Sequence, residues 1–281
     1  MIVQNLYKRP VKLILTWNGV DAPFRWIAFD AVPEFDFVLF NYSGNQAVPE
    51  SSNQYQYDAL INIRTEFKGS ILDEVYKHFK EAVGIDYIGL MDDDIQIAVS
   101  SINLLLSIAY ENKLDAFQAA VDPTCYHSFK FNEQQPGRGI QLVNWVEIMS
   151  PFYRKVLFDA AHTFYETSIS SYGIDNYVMP FYQKVLGFDK IAIVNAVSMK
   201  HLRPVTDGSK IFSNGLTARQ EGEHIRKRIV EMIKKESTDL FSATYLKEVY
   251  GVGTLRWKIR WNLFKDWAKT LNPRQSLQPL P

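Results

Sequence analysis

Apolar residues fall along this chain in short, dense runs separated by polar and turn-forming stretches. Val11-Lys12-Leu13-Ile14-Leu15-Thr16 reads as a first strand, closed by the turn signal Trp17-Asn18-Gly19. Phe35-Asp36-Phe37-Val38-Leu39-Phe40, closed by Asn41-Tyr42-Ser43-Gly44, predicts a second strand, and Ala59-Leu60-Ile61-Asn62-Ile63 a short third. Between Ser70 and Val83 the period changes, with Ile71, Leu72, Val75, Phe79 and Val83 near helical spacing. Tyr87-Ile88-Gly89-Leu90-Met91 is again a strand run, and Ile95 to Tyr110 stays mostly apolar with a helix-like stretch from Ile102. Further strands are predicted over 114–120 and 191–197, and a helix from Asp175 to Leu186. This alternation predicts an α/β protein: a mostly parallel sheet flanked by helices, with ligands at the carboxyl ends of the strands.

The run ending at Met91 stops abruptly in Asp92-Asp93-Asp94. Three adjacent like charges repel and need a counter-cation or full solvation. At a strand-to-helix transition they would deliver hard oxygen ligands to the rim of a sheet, where a divalent cation and a diphosphate can meet. A solvated acidic loop is the plainer account.

Composition bounds the alternatives. With 281 residues, 47% hydrophobic and 14% aromatic, the chain can bury a sizeable core. The single Cys125 excludes an internal disulfide framework. No run approaches the roughly 20 apolar residues of a membrane span, and the N-terminus lacks the apolar centre of a secretory signal, so a cytoplasmic protein is expected. Net charge is zero but uneven: residues 1–218 hold 18 basic against 24 acidic side chains, and residues 219–281 hold 13 against 7. An acidic body with a basic C-terminal segment suggests two units, 1–212 and a mainly helical extension 213–281. No Gly-x-Gly-x-x-Gly fingerprint and no phosphate-loop lysine motif occurs, which argues against Rossmann-type dinucleotide binding and P-loop hydrolysis.

A strand ending in Asp-x-Asp resembles the metal-binding signature of GT-A glycosyltransferases. Asn144-Trp145-Val146-Glu147-Ile148-Met149-Ser150-Pro151, then Tyr172-Gly173-Ile174-Asp175, then Met199-Lys200-His201-Leu202 sharpen the likeness. Their order and spacing are similar to a plant and bacterial family catalogued as a domain of unknown function and thought to share the GT-A fold. The resemblance covers roughly residues 10–205. It implies a Rossmann-like mixed sheet and a nucleotide-sugar donor, such as a UDP-sugar, bound through Mn²⁺ or Mg²⁺. Asp92 and Asp94 match the two acidic positions: Asp94 as the more direct metal ligand, Asp92 reaching the ribose or a metal-bound water. Asp93, at the variable position, is expected to be a bystander or a supporting group.

His201 would supply a third metal ligand, and imidazole leans the set toward manganese; a core or surface histidine is the alternative. Lys200, Arg203 and Lys210 lie in a segment that would close over the diphosphate, or be a solvated basic loop. Thr16, Trp17 and Asn18 occupy the strand end where this fold meets the nucleotide base, and Arg64 and Lys68 resemble basic positions that approach the diphosphate. Asp175 is the expected general base for the acceptor hydroxyl; an aspartate beside a helix start is otherwise an N-cap. Glu147 sits in an apolar run, where a carboxylate is expensive unless it is paired or lines a site. It is expected at the reaction centre reading donor-sugar hydroxyls, with Trp145 facing a sugar ring; a strand whose polar residue faces water is equally simple.

Within 255–274, Trp257, Trp261, Phe264, Ala268 and Leu271 share one helical face and Lys258, Lys265 and Lys269 another. Such a face suits peripheral contact with the inner side of a membrane, contact with nucleic acid, or packing on the main domain. The expected function is therefore sugar transfer from a nucleotide donor to an envelope glycan, a lipid-linked sugar or a hydroxylated DNA base. The alternatives are sugar nucleotidylyl transfer, for which Trp17-Asn18-Gly19-Val20 lacks the glycine-rich basic loop, and non-catalytic carbohydrate binding.

Overall fold

The strands at the heart of the molecule are buried on both faces, so their side chains divide between two core layers. A computed structural model describes residues 9–45, 47, 57–204, 208–236 and 240–252. In chain order it contains β1 (Val11–Trp17), β2 (Ile27–Ala28), β3 (Asp36–Asn41), β4 (Ala59–Asn62), α1 (Lys68–Phe79), β5 (Tyr87–Met91) and β6 (Ile95–Ala98). There follow α2 (Val99–Asn112), β7 (Ala116–Val121), β8 (Ile140–Leu142), β9 (Phe152–Arg154), α3 (Lys155–Ala160), α4 (His162–Tyr165) and α5 (Met179–Val185). The last elements are β10 (Ile191–His201), α6 (Ala218–Lys235) and α7 (Ala243–Tyr250).

The strands form one mixed sheet in the order β2-β6-β10-β7-β9-β5-β1-β3-β4, with β8 on β10. β5, β1, β3 and β4 run parallel, as the alternating pattern predicts. β9 is inserted antiparallel between β5 and β7. Its phenyl ring at Phe152 lies where a side chain on Gly89 would be: a Cβ there would sit 2.4 Å from Phe152 Cε1. Phe152 also stacks on Phe117 at 5.1 Å. The two-residue period sorts the core: Leu13, Leu15, Phe37, Leu39 and Met91 go to one layer, with α2. Ile14, Val38, Phe40, Ile88 and Leu90 go to the other, with α1, α5 and α6.

Helix α1 ends four residues short of the predicted Val83, which is 94% exposed. Helix α6 starts at a capping box between Thr217 and Gln220 and buries Ile225, Ile229 and Ile233 at four-residue spacing. Those residues, with Phe241, Leu246 and Tyr250 from the following segment, join the core layer beneath the sheet. The amphipathic 255–274 segment lies outside the described residues. No helix among the described residues is long and apolar enough to cross a membrane.

Two differences from the sequence pattern shape the site. The aspartates do not lead straight into a helix, because β6 comes between them and α2. β10 also runs past the predicted 197 to His201, after a register irregularity between Val194 and Ser198. Its last residues pair antiparallel with β6, placing His201 opposite Ile95. That pairing brings a late histidine beside Asp94.

Candidate active site

The carboxyl ends of β1, β3, β5 and β10 converge on the Asp92–Asp94 turn. Thr16, at the end of β1, accepts a hydrogen bond from the Asp93 amide at 3.0 Å. Tyr42, just past β3, donates to Asp93 Oδ2 at 3.1 Å, and the Leu202 amide bonds the Asp94 carbonyl at 3.0 Å. The Asp93 carboxylate raises the Tyr42 hydroxyl above its ordinary pKa, after burial, the larger cause. The turn is thus held from both sides.

Each aspartate faces a basic side chain, and Arg203 serves two of them. Lys68, the first residue of α1, lies 2.5 Å from Asp92 Oδ1. Arg203 reaches Asp93 at 3.4 Å and Asp94 at 3.8 Å. His201 Nε2 stands 3.4 Å from Asp94 Oδ1. Asp93 is tied to Tyr42, Thr16 and Arg203. Burial works against the charge on Asp94, yet His201, Arg203 and Lys68 bring its carboxyl below the ordinary range. Burial likewise works against a charged His201, and Asp94 and Asp92 more than offset it.

His201 is arranged as a metal ligand would be. Its Nδ1 is 3.2 Å from the Tyr126 carbonyl, so Nδ1 carries the proton of the neutral ring and Nε2 turns its lone pair toward Asp94. Asp94 Oδ1 is buried and takes no hydrogen bond among the described residues. Two lone pairs facing each other require a cation, either a proton or a metal ion. A carboxylate and an imidazole fit Mn²⁺ better than Mg²⁺. Asp92, the other expected ligand, is engaged by Lys68, and no cluster of three or more His, Cys, Asp or Glu side chains suited to a metal forms among the described residues.

A cavity of about 400 Å³ opens over this turn, lined by Lys68, Asp92, Asp94, His201 and Arg203 on one side and by Glu147 and Asp175 on the other. Glu147 Oε2 accepts from Asn132 at 2.6 Å, and its amide donates to buried Gln118 at 2.5 Å. Burial pushes the Glu147 carboxyl up against the pull of Ser128 and Asn132.

Asp175 lies in a widened, π-type turn, Ile174–Val178, that precedes α5. It does not cap a helix. Its oxygens accept from the Ile148 amide at 3.2 Å and the Asn176 amide at 2.8 Å, fixing the carboxylate at the cavity wall. Burial and the neighbouring Glu147 charge push it up to about 7, with backbone donors only partly opposing.

The wall beside Asp175 combines Gly173 of the Tyr172-Gly173-Ile174-Asp175 motif with residues the sequence pattern did not single out, Ser170, Ser171 and Glu221. Ser171 has φ 67° and Gly173 φ 98°, left-handed conformations that turn the loop back on itself. Buried Glu221 of α6 collects hydrogen bonds from Ser170 N at 2.8 Å, Ser170 Oγ at 2.5 Å, Ile169 N at 3.1 Å and Asn214 Nδ2 at 2.6 Å. Gly69 meets the same loop, its amide donating to the Ile169 carbonyl at 2.8 Å; a Cβ on it would lie 1.7 Å from the Ser168 carbonyl oxygen.

Other expected residues stand apart from the cavity. Trp17 is buried, with its indole N–H on the Asp21 carbonyl at 2.6 Å, and Asn18 bonds Asp21. Arg64 is exposed. Lys210 lies over the rings of Phe67 and Phe212, at 4.8 and 5.3 Å, one ring away from the cavity that Phe67 lines. Trp145 meets Phe129 and Phe131 edge to face at 4.8 and 5.0 Å, so Phe129 rather than Trp145 reaches the cavity. The middle of the predicted closing segment, 205–207, lies outside the described residues.

No protein-family model matches the sequence, and no curated protein does. Solved structures do resemble the fold. Residues 1–349 of S. aureus TarS in complex with UDP-GlcNAc superpose with a TM-score of 0.57 at 10% identity, covering 89% of this chain and 73% of that one. The same protein in complex with UDP gives 0.52 at 10% identity, over 88% and 73%. A longer TarS chain gives 0.53, and this chain spans 43% of it. At this identity the likeness is one of fold: the chain has the GT-A-like mixed α/β architecture of the glycosyltransferase TarS.

Proposed function

We propose that this protein is a metal-dependent glycosyltransferase that moves a sugar from a nucleotide-diphosphate donor to an acceptor hydroxyl. The observation that carries this reading is one cavity with two electrostatic halves: carboxylates matched by cations on one side, and a buried carboxylate titrating near neutrality on the other. The TarS complexes with UDP-GlcNAc and UDP support a uridine-diphosphate sugar as donor.

Asp94 and His201 would hold Mn²⁺ (or Mg²⁺), with Asp92 joining them once Lys68 lets go. When bound, such an ion supplies positive charge to the departing diphosphate. Lys68 and Arg203 then bind diphosphate oxygens in place of the aspartates they now neutralise. Glu147 hydrogen-bonds a donor-sugar hydroxyl from its buried seat. Asp175 takes the proton of the acceptor hydroxyl as that oxygen attacks the anomeric carbon, and the carbon–oxygen bond to the diphosphate breaks with its electron pair going to the nucleotide. A base on the acceptor side favours inversion at the anomeric carbon.

A donor screen with Mn²⁺, reading nucleoside diphosphate release by the full chain, tests this directly. Release that depends on one sugar nucleotide and is abolished by EDTA is the expected result. Silence with every donor, or release of pyrophosphate from a nucleoside triphosphate and a sugar phosphate instead, would falsify it.

A further inference from the structure

The acceptor half of the cavity carries chemistry that narrows what it receives, granted the glycosyltransferase reading above. Around the cavity the cationic side chains, Lys68, His201 and Arg203, all belong to the half that holds the aspartates, and all are engaged with them. Among the described residues the rest of the lining has none; it includes the aromatic rings of Phe129 and Tyr172 and, beside Asp175, Ser171 and Asn176. A nucleic-acid strand entering there would bring backbone phosphates to a lining that offers no free counter-charge among the described residues, next to two raised carboxylates.

Both rim aromatics are backed by protein and open on the other side. Phe129, 36% exposed, leans on Phe131 and Trp145. Tyr172, 50% exposed, lies against Gly222 of α6, where an added Cβ would come within 2.8 Å of Tyr172 Cδ1. Glycine inside a helix costs stability, and here it gives the tyrosine ring a flat seat. Behind Tyr172, the Ser170–Glu221 hydrogen bonds fix the loop, and the Tyr172 amide bonds Ser170 Oγ at 3.1 Å. Asn176 adds an amide whose Oδ1 has no donor among the described residues. Backed aromatic faces with hydroxyl and amide groups beside them suit a ring that is apolar on its faces and hydroxylated at its edges.

We infer that Phe129 and Tyr172 form the acceptor subsite and that its ligand is an uncharged sugar ring of a glycan, presented with one hydroxyl toward Asp175, rather than a nucleic acid. Two kinds of acceptor, neutral oligosaccharides and hydroxymethylated single-stranded DNA, separate the possibilities when each is titrated into the full chain with a UDP-sugar and Mn²⁺. UDP release should rise saturably with an oligosaccharide. Truncating an aromatic anchor should raise the acceptor KM about tenfold or more in Tyr172→Ala and in Phe129→Ala, with a smaller effect on the donor KM. Tyr172→Phe should keep most of the wild-type KM, since it retains the ring.

Stimulation by the DNA alone, or an unchanged glycan KM in both alanine variants, overturns the inference. Slow UDP release that no oligosaccharide accelerates overturns it while leaving the donor half intact. No release from any donor removes the glycosyltransferase reading and this subsite with it.

Discussion

The two halves of the cavity hold carboxylates in opposite electrostatic settings. Asp94 sits among His201, Arg203 and Lys68 and is held ionised below the ordinary range. Asp175, in the same cavity, has another carboxylate as its strongest charged influence and only backbone amides to oppose burial, so it rises to about 7. The first setting suits a group that must stay charged to hold a cation; the second suits a group that must gain a proton and lose it again. Identity of the side chain does not decide the role. Neighbours do.

The largest expected effect comes from neutralising the base. Asp175→Asn should lower transfer by about 10²–10⁴-fold, the usual range for a positioned acid–base group, while calorimetry still detects donor binding. Retained turnover would merge the two halves into one. With the wild-type residue, kcat/KM should fall as pH drops below about 7, because only the ionised carboxylate accepts the proton. Stability has the opposite slope. The folded state keeps this proton to higher pH than the unfolded chain, so its contribution is complete below the ordinary value of 3.8 and is lost as pH rises from there through about 7. Thermal unfolding of Asp175→Asn should lack that component.

On the other half, Asp94→Ala should weaken Mn²⁺-dependent binding of UDP by about a hundredfold or more, as expected when one of few ligands is lost. Unchanged affinity would mean that its cations serve only to neutralise the turn. Glu221→Ala should follow, costing roughly 1–3 kcal/mol because the donors of 169–170 lose a buried acceptor. It should raise acceptor KM while Glu221→Gln restores part of the stability but not all of the geometry. Smallest is Tyr42→Phe, which removes the hydroxyl that steadies Asp93 and should lower stability by about 1 kcal/mol. Donor affinity measured beside it would show whether Asp93 matters beyond holding the turn.

The cation-binding half was the more legible from sequence. Dense apolar runs marked β1, β3, β5 and β7, and the aspartates stood at the end of one of them. What the runs could not show was β9, three residues long, or the continuation of β10 to the histidine, because both depend on pairing with distant strands. The strand-end residues Thr16 and Trp17 close β1, and their side chains bond the distant Asp93 and the nearby Asp21.

The other half was harder to read. Glu221 and Glu223 sit two apart on α6 in a charged stretch that reads as a solvated helix. Yet the first is 2% exposed and holds a loop fifty residues away in sequence, while the second pairs with Arg226 in solvent. Local composition carries no sign of that difference. Glu147 was visible because a carboxylate beside apolar residues is costly, and Asp175 only through the Tyr172-Gly173-Ile174-Asp175 motif.

Gly69 and Gly89 extend the reach of this architecture beyond a single chain. Both have ordinary backbone conformations, and both occur where another part of the protein occupies the place of a side chain. Even an alanine at 69 would have to part α1 from the loop beside Asp175, and one at 89 would have to unseat β9. Distant homologues that share almost no residues with this chain can therefore be sought with a sparse signature: glycine 23 positions before the first of the aspartates, and glycine three before it. Steric necessity can survive where sequence identity has decayed to background, which makes empty space a heritable character.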